Sequence, residues 1–237
     1  MPLFINEIFD SFQGEGIHAG RFCTFVRFEG CSVGCPWCDT KYAARYHTGC
    51  VTPPEDIEKG CLPFVVLTGG EPLEQDLKSL DYLCGVLLNT GHQVCIETAG
   101  HILFPHATCN LRAVDGIGVS PKVGFWLDMK VKQAILRWNN YHVLYDIPVW
   151  FKFVVDSLED VYHVIEVLKP LQKIMCTGKC PFILQPQGLR SIPEIKRLQL
   201  QIVRDLRVKS FVKQSGFDIR LLPQQHRLLW GRGKRGV

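Results

Sequence analysis

Short apolar runs alternate along the chain with longer stretches in which apolar residues recur every three or four positions. Phe22 to Phe28 reads as a strand. Phe64-Val65-Val66-Leu67 is apolar throughout, the pattern of a strand covered on both faces. Gln93 to Glu97 is similar and Gly116 to Val119 is a shorter candidate; Phe151 to Val155 and Phe182 to Leu184 bring the count to about six. From Pro72 to Thr90, Leu73, Leu77, Leu80, Cys84, Leu87 and Leu88 recur at helical spacing, and Gly91 offers a stop. Val123 to Arg137 and Ile192 to Leu206 carry further helical patterns. Leu158 to Leu168 places Val161, Ile165 and Leu168 on one face, ahead of Pro170. This alternation predicts an α/β fold with a mainly parallel sheet. Six strands are too few for a closed eight-stranded barrel, so a partial, about six-stranded parallel β/α barrel is expected. Its chemistry should collect at the C-terminal strand ends.

Composition narrows this reading. At 237 residues and 46% hydrophobic content, the chain can bury a core without covalent staples. We expect one domain over residues 1–237, with a basic tail from Gly231 to Val237. The net charge of +4 is too small for bulk nucleic-acid binding, and no apolar run approaches the roughly 18 residues of a membrane span. Met1 to Phe12 carries Glu7 and Asp10 and lacks the pattern of a signal peptide, so a cytoplasmic location is expected. In that reducing compartment, eleven cysteines speak for metal or redox chemistry over disulfides.

The cysteines concentrate in Gly30-Cys31-Ser32-Val33-Gly34-Cys35-Pro36-Trp37-Cys38-Asp39-Thr40, directly after the first clear strand. The spacing C-x3-C-x2-C lets three thiolates face one centre, and soft iron suits them. Three protein ligands on a four-iron cluster leave one iron open to a small molecule. Buried hydrophobe-like cysteines explain a single such residue well and three at this spacing poorly. A zinc site needs a fourth ligand, which His47 or Cys50 could supply.

The spacing resembles the signature of the radical S-adenosylmethionine (SAM) superfamily. Thr68-Gly69-Gly70-Glu71-Pro72, after a buried strand, looks like that superfamily's GGEP motif, where glycine permits close ligand approach. Within the superfamily, the resemblance is to the 7-carboxy-7-deazaguanine synthases. It rests on Glu7-Ile8-Phe9-Asp10-Ser11-Phe12-Gln13-Gly14-Glu15-Gly16, on Arg27 in Phe25-Val26-Arg27-Phe28, on Cys38-Asp39-Thr40 and on Ser120-Pro121-Lys122. Gln185-Pro186 and Gln225-His226 match more weakly.

The resemblance implies a lyase of queuosine and 7-deazapurine biosynthesis. Such an enzyme contracts the ring of 6-carboxy-5,6,7,8-tetrahydropterin to 7-carboxy-7-deazaguanine and releases ammonia. Cys31, Cys35 and Cys38 would hold a 4Fe–4S cluster; Gly70, Ser120, Lys122 and Gln185 would contact SAM. Gln13, Gly14, Glu15, Arg27, Thr68 and His226 would meet the pterin, and Thr40 would help hold Mg2+. A flavodoxin or ferredoxin would supply electrons, and a homodimer is expected. The alternatives are a radical-SAM enzyme that activates a glycyl-radical partner and a zinc-stabilised binding module.

Residue by residue, plainer readings also exist. Gln13 to Gly16 could be a polar turn, and Arg27 and Lys122 could face solvent. Thr40 could cap a helix, and His226 could be an ordinary interface histidine. Cys176 and Cys180 form a C-x3-C pair outside the family pattern, too few ligands for a structural metal on their own. Cys23, Cys84 and Cys95 are expected in the core. Some family members place a chain-terminal carboxylate near the substrate; here a basic tail follows Trp230, and the terminus is assigned no catalytic role.

Overall fold

The computed structural model describes residues 3–103, 109–175 and 180–230, so Cys176 and the basic tail lie outside the described residues. The strands are β1 (Leu3–Phe12), β2 (Phe22–Phe28), β3 (Cys50–Thr52), β4 (Phe64–Gly69), β5 (Gln93–Thr98), β6 (Gly116–Val119), β7 (Val149–Val155), β8 (Phe182–Pro186) and β9 (Ile219–Leu221). The helices are α1 (Pro54–Glu58), α2 (Leu77–Asn89), α3 (Asp128–Tyr145), α4 (Leu158–Leu168), α5 (Ile192–Arg204), α6 (Leu206–Ser215) and α7 (Gln225–Trp230). The described strands form one sheet in the order β3-β1-β2-β4-β5-β6-β7-β8-β9. Pairing is parallel from β2 to β9, whereas β1 runs antiparallel to both β2 and β3. The two edge strands do not meet, so the barrel is open.

The six strands expected from the sequence are the contiguous centre of this sheet. The other three escape the apolar pattern for physical reasons. In β1, Asn6, Glu7, Asp10 and Ser11 interrupt the apolar run, because its far side is covered only at Leu3 to Ile5 by β3. Strands β3 and β9 have three residues each, too short for periodicity to register. The helices also differ from expectation. Residues 72–74 form a separate 3-10 turn before α2, and α3 starts five residues later than predicted and runs on to Tyr145. The fourth pattern splits at Asp205, whose extended backbone (φ −66°, ψ 128°) ends α5. The Asp205 carboxylate then caps α6 at the Val208 N–H, 2.9 Å away.

The outer face of the sheet packs under the helices in one large apolar cluster that includes Phe28, Leu67, Ile96, Phe151 and Trp138. Cys84 lies there, while Cys23 and Cys95 lie in the inner core. The inner face changes character along its length. Its lower layer is Cys23, Phe25, Phe64, Val66, Cys95, Trp150 and Ile183. Two residues further along the same strands, in phase with the pleat, stand Arg27, Thr68, Glu97, Lys152 and Gln185. The Trp150 indole leans across β6, where a Cβ at Gly116 or Gly118 would approach its ring within 2.9 Å and 2.8 Å. That contact explains the Gly-Ile-Gly-Val sequence of this strand. His18 stacks edge-on against Phe64 and Trp150 and closes the lower end; burial lowers its pKa and favours the neutral ring.

Candidate active site

A cavity of about 440 Å3 opens at the C-terminal ends of the parallel strands, above the polar layer. It is lined by Cys31, Cys35, Cys38 and Thr40 from the loop after β2. Thr68 and Gly70 come from the end of β4, and Ser120 and Lys122 from the loop after β6. Gln13, Glu15, Arg27, Gln185 and His226 complete the expected set. Gly14 is one residue from both Gln13 and Glu15 and packs against the His226 ring, where a Cβ would lie 2.3 Å from Nδ1.

The cysteine loop folds on the GGEP segment through the backbone. The Glu71 N–H donates to the Gly30 carbonyl at 2.7 Å, and the Gly70 N–H to the Phe28 carbonyl at 2.9 Å. A Cβ at Gly70 would lie 2.0 Å from the Gly30 oxygen, so only glycine permits this approach. Glu71 is fully buried and accepts from the Leu73 and Ala99 N–H groups and the Thr98 hydroxyl. Burial raises its pKa, against the pull of these three bonds. Through these bonds this carboxyl shapes the turn at the cavity wall.

The three motif sulfurs are the candidate metal ligands. Among the described residues, the set of Cys, His, Asp and Glu donor atoms lying within 4.8 Å of one another is Glu15, Asp39 and His226, not the cysteines. Sulfurs sharing one tetrahedral zinc at about 2.3 Å would sit roughly 3.8 Å apart. As placed, the three sulfurs are not all gathered at the spacing of ligands on one tetrahedral ion. Cys50, a candidate fourth zinc ligand, is instead exposed on β3 opposite Ile5. Burial pushes the Cys31 thiol up to about 11 and also raises Cys35, so metal binding must displace their protons. Lys122 acts in the opposite direction on Cys35 and donates to the Ser120 hydroxyl at 3.1 Å. The oxygen of Gln185 is buried without a partner and awaits a donor.

On the opposite wall, the Glu97 carboxylate accepts from Gln13 Nε2 at 2.9 Å and from the Thr68 hydroxyl at 3.2 Å. Arg27 does not face bulk solvent. Its Nε donates to Glu7 at 2.6 Å, and its guanidinium lies 5.5 Å from the Phe9 ring centre. Glu15 is bonded to Lys152 and to Gln224 Nε2. Burial alone would raise the Glu15 pKa, but the Lys152 and His226 charges and the bonds from Lys152 and Gln224 together outweigh it and hold it near 2. These two carboxylates and Asp39 already have the chain's own cations or amides as partners. The Glu15–Asp39–His226 cluster thus carries no case for a metal by itself.

Sequence reasoning missed Glu97, Lys152, Gln224 and Arg227. The first two carried a usable signal, since they fall on the same strand phase as Arg27 and Thr68. The last two carried none, because only the fold brings α7 back over residues 13–15. Cys180, the described half of the C-x3-C pair, is buried with its sulfur 3.9 Å from Asn139 Oδ1.

No family model matches the chain. It is 37% identical over 165 residues to the 7-carboxy-7-deazaguanine synthase of Pyrobaculum aerophilum, covering 68% of this chain and 70% of that protein. It is 28% identical over 237 residues to the Aquifex aeolicus protein of the same name, covering 94% and 91%. The fold superposes on the crystal structure of QueE from Escherichia coli with a TM-score of 0.64 and 25% identity over 95% of both chains. At 14% identity, the Streptococcus suis SuiB structure bound to S-adenosylmethionine shares the fold, with a TM-score of 0.56 over 85% of this chain and 50% of that one. Identity at this level over more than two thirds of a relative carries kinship, and the chain belongs to the 7-carboxy-7-deazaguanine synthase family.

Proposed function

We propose that the protein converts 6-carboxy-5,6,7,8-tetrahydropterin to 7-carboxy-7-deazaguanine, contracting the ring with loss of ammonia. The observation that carries this reading is the convergence of Cys31, Cys35 and Cys38, the GGEP turn and the polar inner layer on one cavity. Cys31, Cys35 and Cys38 would hold a 4Fe–4S cluster, and Gly70, Ser120, Lys122 and Gln185 would hold SAM. When bound, these two groups supply the electron and the hydrogen-abstracting radical that begin the rearrangement.

The chain's own contribution is position and shielding. Gln13 and Thr68, both fixed by Glu97, present one polar edge to the pterin. The guanidinium of Arg27, anchored by Glu7, presents donors to its oxygens. Lys152 keeps Glu15 ionised, so that carboxylate can accept from pterin N–H groups but cannot protonate them. Trp37 stacks edge-on to Phe125 beside the cysteines, and α7 covers the other side, which limits water at the reacting carbon. Thr40 has its hydroxyl 3.6 Å from Cys38 Sγ, and as an oxygen donor on the cavity wall it suits Mg2+. A flavodoxin- or ferredoxin-type electron donor, a homodimer and the reducing cytoplasm complete the reading.

The test is anaerobic reconstitution with iron and sulfide, followed by SAM, Mg2+, a reductant and the carboxypterin, with mass spectrometry of the product. SAM-dependent 7-carboxy-7-deazaguanine is expected. A brown protein that cleaves SAM without forming it would return the substrate to question, with a glycyl-radical activating enzyme next to test. A colourless protein with one zinc would overturn the reading.

A further inference from the structure

A single carboxylate oxygen joins the cysteine loop to the cavity wall assigned to the pterin. Strand β1 carries a bulge at Asn6: Ile5 pairs with Phe28 and Glu7 with Arg27, two steps on β1 against one on β2. The bulge switches the pleat, so Ile5 packs in the outer cluster while Glu7 and Phe9 stand with Arg27 on the inner side. Phe9 stacks on Phe25 at 5.1 Å between ring centres, and the Arg27 guanidinium lies over the Phe9 ring. Glu7 Oε1 then accepts from two donors, Arg27 Nε and the Tyr42 hydroxyl, each at 2.6 Å. Arg27 and Tyr42 line the cavity, whereas Glu7 stands behind them.

Tyr42 is tied to the cysteines through the backbone. It sits in the turn after Cys38, where the Ala43 and Ala44 N–H groups donate to the Thr40 carbonyl at 2.9 Å and 3.2 Å. That turn folds back on the first cysteine. The Gly30 N–H donates to the Ala43 carbonyl at 2.8 Å, and the Cys31 N–H to the Ala44 carbonyl at 3.2 Å. Opening of the loop therefore draws the Tyr42 hydroxyl away from Glu7. Glu7 in turn holds Arg27 by Nε, which sets the plane of the guanidinium and leaves its terminal nitrogens for a ligand. Both bonds have an ionised acceptor, and the Arg27 and Glu7 side chains are only 14% and 21% exposed, so water competes weakly for them.

Resting on the function proposed above, we propose that Tyr42 is a positioning residue: through Glu7 it sets the aim of Arg27 and so couples the closed cysteine loop to pterin affinity. The pterin then binds best to a protein whose loop is already ordered, which favours loading of the substrate after the loop has closed. Such a coupling is reciprocal, so Glu7 also steadies the turn that carries Tyr42.

Two double-mutant cycles test this. In the first, the dissociation constant of the carboxypterin is measured on the reconstituted holoenzyme with SAM and Mg2+, for wild type, Tyr42→Phe, Arg27→Lys and the double variant. SAM affinity is the check on folding. Tyr42→Phe is expected to weaken the pterin about tenfold in the wild-type background and less than about twofold beside Arg27→Lys, with SAM changed less than about twofold in both. Glu7→Gln takes the place of Tyr42→Phe in this cycle if the phenylalanine variant folds poorly. The second cycle needs no pterin. Glu7→Gln should speed amide hydrogen exchange of residues 40–44 in the metal-free protein, and chelator-driven cluster loss in the reconstituted one, by about fivefold in wild type and less than about twofold in Tyr42→Phe. A loss that persists undiminished beside the second substitution in either cycle, as direct contact of Tyr42 with the pterin would give, overturns the assignment, as does no loss from Tyr42→Phe. A wild-type holoenzyme that bound SAM but turned over no carboxypterin would overturn the proposed function instead, and the second cycle would still decide the link from Glu7 to Tyr42.

Discussion

Removing the carboxylate of Glu74 should loosen the cysteine loop while leaving the fold intact. Glu74 lies three residues beyond Glu71, and its oxygens accept from the Ser32 N–H at 2.9 Å and 3.1 Å, the Ser32 hydroxyl at 2.6 Å and the Tyr46 hydroxyl at 2.8 Å. His101 Nε2 lies 3.1 Å away on the other side. The Tyr46 ring in turn covers Gly30, where a Cβ would lie 2.3 Å from it. One side chain thus ties down both neighbours of Cys31. A shielded bond to a charged acceptor contributes about 1.5–3 kcal/mol. Ser32 and Tyr46 are exposed, so water can replace part of this, and about 1 kcal/mol per partner residue is the better figure. Three partners then give about 3 kcal/mol, or about a hundredfold in the local opening equilibrium. The assay is amide hydrogen exchange of residues 30–32 in the metal-free protein, with chelator-driven cluster loss in the reconstituted one. Glu74→Ala should accelerate both by about a hundredfold and, because the unfolded chain lacks the same bonds, lower the melting temperature by about 6–12 °C. Glu74→Gln, with one accepting oxygen, should fall between. Exchange and cluster loss within about threefold of wild type would refute the clamp.

Three other outcomes test the same structure. Gly70→Ala should cost about 2–4 kcal/mol or displace the loop enough to abolish SAM binding, because its Cβ meets the Gly30 backbone; calorimetry and SAM titration read the two effects. Cys35→Ala should prevent stable cluster formation, seen as loss of the brown absorbance, and a variant that still formed product would remove the cluster assignment. Lys152→Met should cost about 3–5 kcal/mol at neutral pH, since it strands Glu15. Its pH dependence has a defined sign. In wild type the Glu15 contribution is complete above the unfolded carboxyl value of 4.5 and is lost as pH falls towards about 2. Without Lys152, burial dominates and raises the Glu15 pKa. The variant should therefore be relatively most stable in mild acid and lose stability as pH rises past 4.5. Urea midpoints between pH 4 and pH 8 that shift in parallel for the two proteins would contradict this.

The apolar pattern by itself determined the six central parallel strands, because a strand covered on both faces must be apolar at nearly every position, as Phe64 to Leu67 are. Local spacing likewise determined the cysteine loop and the glycine turn, whose chemistry is written in adjacent residues. The sequence did not disclose β1, where polar residues answer to a half-open edge, or β9, which is three residues long. Tertiary structure alone decided which polar residues share the cavity. The pleat carries Glu97 and Lys152 inward beside Arg27 and Thr68, and the return of α7 brings Arg227 to Asp39 across 188 positions of chain. Such partners are set by register and packing between distant segments, and electrostatic pairing across that distance leaves no periodic trace in the order of residues.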